Sequence, residues 1–143
     1  MIGILIITHG SFGESLLECA SHMLGKKPPQ LASLAVSSKD DQGSILPKAL
    51  ELLSQVNSGE GVLVLSDMYG ATPCNIVTKI LQPNVVEGVA GVNLPMLVRV
   101  MTYRNETLPI LVEKALSGGR EGVVSFDRES CERYEQAPLN NRV

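Results

Sequence analysis

Two stretches constrain the fold of this chain more than any others: Ile2-Gly3-Ile4-Leu5-Ile6-Ile7 and Gly61-Val62-Leu63-Val64-Leu65-Ser66. Each is short, continuously apolar and rich in β-branched residues. A strand exposed on one face alternates apolar and polar residues, so an unbroken run of this kind indicates a strand covered on both faces, as in a parallel sheet. The first run ends in Thr8-His9-Gly10-Ser11-Phe12-Gly13, the second in Asp67 and a turn, Met68-Tyr69-Gly70-Ala71-Thr72-Pro73. One strand therefore delivers a histidine into a glycine-containing loop, and the other delivers a carboxylate.

The segments between fit the same scheme. Leu16, Leu17, Ala20, Met23 and Leu24 recur at helical spacing from Phe12 to about Leu24, with Gly25 past the end. Leu31 to Val36 reads as a strand, and Ser44 to Val56 as a helix with Pro47 in its first turn. Thr72-Pro73 and Asn93-Pro95 read as N-caps of helices running to about Leu81 and Tyr103. Val85 to Val89 supplies a fourth strand. A helix from Glu106 to Ser117, stopped by Gly118-Gly119, precedes a short last strand, Gly122 to Phe126. From Asp127 onward the chain is polar without periodicity, and it is expected to fray. Strands alternating with helices predict an α/β fold: a doubly wound, mostly parallel sheet of order 2-1-3-4 plus an edge strand, with helices on both faces.

The totals narrow the function classes. At 143 residues, a single domain buries roughly 70% of its unfolded surface and needs no disulfides or metal to hold a core. A net charge of −3 argues against a nucleic-acid partner, because such proteins carry a basic face that neutralises phosphates. Cys19, Cys74 and Cys131 are too few and too scattered for a disulfide framework or a zinc cage. No run approaches the ~18 apolar residues of a membrane span. A cytoplasmic protein with reduced thiols and no direct membrane insertion is the expectation.

In a sheet of this order the first and third strands are neighbours at the topological switch point, where ligand chemistry collects at the carboxyl ends. His9 and Asp67 can then come within hydrogen-bond reach. A carboxylate accepting from one imidazole N–H fixes the tautomer and leaves the other nitrogen as a nucleophile. Gly10, Gly13 and Gly70 allow close backbone approach, while Ser11, Thr72 and the amides at two helix starts supply donors for anionic oxygens. The set suits a phosphoryl group carried on His9 with no metal or other cofactor. Neither a Walker-type nor a dinucleotide-binding glycine motif is present, so a nucleotide donor has no support. His22, on the first helix, reads as a solvated residue, and Cys74 as a small packing residue.

Three blocks carry a resemblance: Thr8-His9-Gly10, Ser66 to Asn75, and Ala90 to Leu97. In this order and spacing the chain resembles, from residue 1 to about 126, the enzyme IIA component of the mannose (fructose/mannose/sorbose) family of the phosphoenolpyruvate-dependent sugar phosphotransferase system. The resemblance implies a IIA domain over 1–126 followed by a polar tail, 127–143. It implies a phosphotransferase in which His9 takes phosphate from the carrier HPr and passes it to a histidine of a IIB component, with Asp67 orienting the His9 ring. Gly10, Ser11, Gly70, Ala71 and Thr72 are the expected phosphate-binding positions, and the phosphate is expected on Nε2. It further implies a homodimer in which the last strand, Val123 to Phe126, is exchanged between subunits. Phe12, Tyr69 and Leu94 to Met96 are expected to form the partner-facing surface. The turn at Met68-Tyr69-Gly70-Ala71-Thr72 departs from the Trp and Ser variants of many relatives, and Cys74 replaces a bulkier apolar residue.

Two other functions fit parts of the pattern. A regulatory module could use the phosphorylation state of His9 to choose partners; with no IIB domain following in the sequence, the acceptor is expected to be a separate protein or a regulator. A tetrapyrrole metal chelatase also opens with His-Gly-Ser after a first strand, but it needs a second ligand beside His9.

Overall fold

In the computed structural model, residues 1–37 and 39–136 are described, with the side chains of Ser130 and Tyr134 left aside. The elements in chain order are β1 (Gly3–His9), α1 (Phe12–Leu24), β2 (Leu31–Val36), α2 (Gln42–Val56), β3 (Val62–Ser66), α3 (Thr72–Ile80), β4 (Val86–Ala90), α4 (Leu94–Thr102), α5 (Leu108–Glu121) and α6 (Arg128–Gln136). The four strands form one parallel sheet of order β2-β1-β3-β4.

The two apolar runs lie side by side at its centre. Because side chains alternate across a strand, β1 sends Ile4 and Ile6 into one core with Leu63, Leu65, Leu16, Leu97 and Leu111. It sends Leu5 and Ile7 into the other with Val62, Val64, Ile45, Ile76 and Ile80. Helices α1, α4 and α5 cover the first face, and α2 and α3 the second. An aliphatic core on both sides explains why these strands show no polar alternation.

Several boundaries differ from expectation, each for a local reason. Asp41 caps α2 by accepting from the Gly43 N–H at 3.1 Å, so the helix starts at Gln42 and Pro47 falls in its interior. The proline therefore removes one internal hydrogen bond there. α3 begins at Thr72 itself, with Ala71 as its N-cap and no side-chain cap bond. Asn93 does cap α4: its Oδ1 accepts from the Met96 N–H at 2.9 Å, and its Nδ2 donates to the Gly119 carbonyl at 3.0 Å.

Gly118 and Gly119 do not stop α5, which runs on to Glu121. A Cβ on Gly118 would lie 3.0 Å from the Arg99 Cβ, and one on Gly119 would lie 2.7 Å from the Met96 Cε. These glycines let α4 and α5 pack closely, which is a tertiary requirement and not a stop signal. Residues 123–127 carry no regular structure, so the expected fifth strand is absent from the described sheet. Val123, Val124 and Phe126 are 76%, 59% and 88% exposed. Beyond them the chain forms α6 where fraying was expected; the remainder of the expected tail, 137–143, lies outside the described residues.

At the amino ends of the strands the sheet is tied down by Arg104, a residue with no sequence motif to mark it. It is 3% exposed. Its Nε and one terminal nitrogen donate to the Ile2 carbonyl at 3.0 and 2.8 Å, and the guanidinium also reaches the carbonyls of Pro29 (2.6 Å) and Gln30 (3.0 Å). Burial pulls its pKa down to about 10, which leaves it charged at neutral pH. Three main-chain carbonyls, through four hydrogen bonds, take the place of a counter-ion here. Arg104→Met should therefore destabilise the fold by about 2–4 kcal/mol, because the Ile2 and Pro29 carbonyls lose these partners inside the protein. Urea unfolding measures the loss, and a change below about 0.5 kcal/mol, the usual size for an inert surface site, excludes the clamp.

Candidate functional site

The site is built from two strand ends. Ile7 stands opposite Ser66 in the β1–β3 register, so Asp67, one residue past β3, comes level with the last residues of β1. Its Oδ2 accepts from the His9 main-chain N–H at 3.0 Å and meets the His9 Nδ1 at 2.8 Å. Its Oδ1 accepts from the Met68 N–H at 2.9 Å. One carboxylate oxygen thus holds both the backbone and the ring of the same histidine. With an ionised carboxylate the Nδ1 carries the hydrogen, and Nε2 is left with its lone pair.

Exposure divides the pair. The His9 side chain is 50% exposed and that of Asp67 only 13%. The ring is accessible to a reactant while its anchor is sheltered. Burial by itself would push the Asp67 carboxyl up. The His9 main-chain N–H, the His9 ring and Asp67's own main-chain N–H together outweigh it and hold the carboxyl below its ordinary range.

The other expected site residues surround this pair unevenly. Gly10 has φ +50°, a left-handed conformation that glycine adopts without strain. Its N–H is already committed to the Val36 carbonyl at 3.0 Å, so Gly10 contributes a turn and no free amide. Ser11 is exposed, sits at the N-cap of α1 and makes no side-chain cap bond. Gly70, exposed at φ +83°, turns the chain toward α3. The first amide of that helix to reach a carbonyl is Asn75, which bonds to Ala71 at 3.1 Å. The N–H groups of Thr72 and Cys74 remain as donors at a helix N-terminus, Pro73 having none. Thr72 supplies an amide and a hydroxyl from inside the helix, not a cap.

A cleft of about 420 Å³ opens beside the ring, lined by His9, Gly10, Ala35, Val36, Ser37 and Asp40. A cleft of similar size between α1 and β2 is lined by Glu14, Glu18, Ser21 and Lys27 and lies away from the His9–Asp67 pair. Phe12, at the start of α1, and Met68 and Tyr69, on the β3–α3 loop, are exposed near the site. Met96, expected on the partner-facing surface, is instead 3% exposed and belongs to the core. Among the described residues no three His, Cys, Asp or Glu side chains are grouped to hold a metal ion, and His22 is exposed on α1. No helix among them is long and apolar enough to cross a membrane.

Sequence reasoning paired His9 with Asp67 but missed the second bond, from Asp67 to the His9 main chain. Such a bond leaves no trace in residue type. It also missed Asp40 and Ser37, because the β2–α2 loop has no motif and only the fold brings it beside β1.

The depressed carboxyl has a defined pH signature. A folded-state pKa below the unfolded one contributes stability that is present above the unfolded value and lost as pH falls through the folded one. The stability difference between wild type and Asp67→Asn should therefore hold at neutral pH and shrink as pH falls below the ordinary carboxylate range. Urea unfolding across that range measures it, and a difference independent of pH excludes the ionised contact.

Comparison with known proteins gives consistent matches. The profile of the EIIA-man family, described as the PTS system fructose IIA component, matches residues 3–116. The chain is 31% identical over 140 residues to the PTS system mannose-specific EIIAB component of Escherichia coli strain K12, covering 96% of this chain and 43% of that protein. It is 30% identical over 105 residues to the PTS system fructose-specific EIIA component of Bacillus subtilis, covering 73% of this chain and 71% of that one. The chain thus spans under half the length of the EIIAB relatives it matches and 71% of the fructose-specific EIIA component. Among solved structures, phosphotransferase system component EIIA from Streptococcus agalactiae superposes with a TM-score of 0.75 at 25% identity, over 88% of this chain and 98% of that one. With a profile matched across most of its length and this fold, the chain belongs to the EIIA-man family, the fructose/mannose-type IIA components of the sugar phosphotransferase system.

Proposed function

We propose that this protein is a phosphocarrier of the sugar phosphotransferase system, a phosphotransferase in which His9 accepts a phosphoryl group from phospho-HPr and passes it to a histidine of a IIB component. The single observation that carries the reading is the double hold of Asp67 Oδ2 on the His9 main chain and ring Nδ1. It leaves the Nε2 of a half-exposed ring free of that anchor. The Nε2 lone pair attacks the phosphorus of the incoming phosphohistidine. The P–N bond to the donor breaks, and its electron pair returns to the donor imidazole. The Nδ1 proton stays in place, so the substituted ring is cationic and faces the Asp67 anion. The same steps in reverse hand the group to the acceptor.

Phosphoryl transfer depends mostly on positioning and on donors facing the spread negative charge. The Ser11 hydroxyl, the backbone at Gly70 and Ala71, and the Thr72 amide and hydroxyl are proposed to meet the phosphate oxygens; Gly10 shapes the turn. No cofactor enters this scheme. Residues 1–126 form the carrier domain, acting in the cytoplasm. Phe12, Met68 and Tyr69 supply apolar contact area for protein partners that must bring another histidine to the same point.

We further propose a homodimer through residues 123–126. Three exposed apolar side chains follow α5 in a segment without regular structure, and β4 is an outer strand of the sheet. Beyond Val86, which bridges to Gln82, the outer edge of β4 pairs with no strand among the described residues, and such an edge and an apolar segment in one chain are complementary between two copies.

Incubated with phosphoenolpyruvate, enzyme I and HPr, the protein should gain one acid-labile, base-stable phosphate, and His9→Ala should gain none; equal labelling of that variant sinks the assignment. Asp67→Ala should slow transfer by about 10²-fold, the usual cost of losing a ring-orienting partner, while the fold survives. Sedimentation equilibrium should find a dimer that Val124→Asp with Phe126→Asp converts to monomer; a dimer unchanged by the pair places the contact elsewhere.

A further inference from the structure

Thr8, the residue before the site histidine, is one of three buried polar residues of the described chain and is fully inaccessible. It cannot touch a reactant. Its Oγ1 accepts from the Gly13 main-chain N–H at 2.8 Å. Gly13 is the second residue of α1, so the end of β1 is bonded directly to the start of the next helix. The four residues between, His9 to Phe12, include His9, Gly10 and Ser11.

The contact is matched from both sides. A Cβ on Gly13 would lie 2.9 Å from the Ile6 Cγ2, 3.0 Å from the Thr8 Oγ1 and 3.3 Å from the Thr8 Cγ2. The helix start is therefore seated against β1 as closely as a glycine permits. Ser11, the N-cap of α1, makes no cap bond of its own. The Thr8 hydroxyl does what a capping side chain ordinarily does, satisfying an orphan amide of the first turn, and it does so from inside the sheet. This leaves the Ser11 hydroxyl uncommitted. On the far side of the loop, the Gly10 N–H is bonded to the Val36 carbonyl, and the His9 N–H to Asp67. The loop is pinned at 9, 10 and 13, and only the last pin is held by a side chain that no reactant can reach.

We infer that Thr8 is a positioning residue for the His9 site: its buried hydroxyl, seated on the Gly13 amide, sets the path of residues 9–12 and so places Ser11 and the His9 ring relative to Asp67. This rests on the phosphocarrier reading for its kinetic consequence, though not for its structural one. Removing the hydroxyl while keeping the shape frees the helix start to shift, and small displacements of a reacting group are costly in rate. The effect belongs to the transfer step and not to donor docking, since the hydroxyl faces no partner.

The test compares Thr8→Val, which is isosteric but cannot accept, with Thr8→Ser, which can. With phospho-HPr as donor, Thr8→Val should lower the maximal labelling rate about tenfold or more with KM within about twofold of wild type, and Thr8→Ser should recover most of it. Labelling of Thr8→Val at the wild-type rate, or equal slowing of both variants, overturns the proposal. If Thr8→Val does not fold by circular dichroism, Gly13→Ala takes its place: it keeps the hydroxyl but pushes the amide off it, and an unchanged rate overturns the proposal. A phosphate-independent readout separates this proposal from the reading beneath it. The ¹⁵N shifts of the His9 ring should report a fixed Nδ1–H tautomer in wild type and Thr8→Ser and an averaged one in Thr8→Val. If wild type takes no phosphate, the carrier reading falls and these spectra alone decide; identical spectra in all three proteins overturn the role of Thr8.

Discussion

The structure depends on β1 being buried on both faces and paired on both edges. Ile4, Leu5, Ile6 and Ile7 are fully inaccessible, each worth roughly 1.5–3 kcal/mol relative to exposure. Strand neighbours stand on either side. A strand held in this way has no freedom to slip, because a one-residue shift would send every side chain to the opposite core. Its last residue is therefore among the best-fixed points available for a half-exposed side chain, and that residue is His9. The flexibility expected of a Gly-containing loop begins only after the histidine, and the bonds at 9, 10 and 13 restrict even that.

The chemistry follows from dividing exposure between two adjacent strand ends. A carboxylate loses hydration when sheltered, and here three N–H donors more than replace it. The His9 ring stays half-exposed, so its orientation has to come from below. Asp67 provides that from one oxygen, because the parallel register places the His9 main chain and ring within reach of the same atom. Phe12, Met68 and Tyr69 are exposed near it.

On the far side of the sheet, helix packing explains features that composition alone misreads. The Gly118-Gly119 pair sits inside the last turn of α5 because α4 approaches to within one side-chain thickness. Arg104 is buried without a carboxylate because the sheet's amino end offers converging main-chain carbonyls. Both are small or long side chains chosen by a neighbour distant in sequence. The apolar segment 123–126 is the converse case: residues of strand-like composition that join no strand of the described sheet.

What the sequence determined by itself is the local and the periodic. The unbroken apolar runs specified doubly covered strands, the alternation with helices specified a parallel sheet, and the order of that sheet put His9 beside Asp67. Asn93 announced its cap, since a cap is a contact within four residues. Tertiary structure alone decided where contacts between distant residues override a local signal. It made Pro47 an interior residue by capping α2 at Asp41, and Gly118 and Gly119 packing residues. It made Met96 core and Arg104 a clamp, and it committed the Gly10 amide to Val36. It also bonded Thr8 to Gly13 and gave Asp67 its second grip on the His9 backbone. The physical reason is the same throughout. Residue type encodes propensity and hydrophobicity, whereas a hydrogen bond between two main-chain groups, or the gap between two helices, is set only once the whole sheet is assembled.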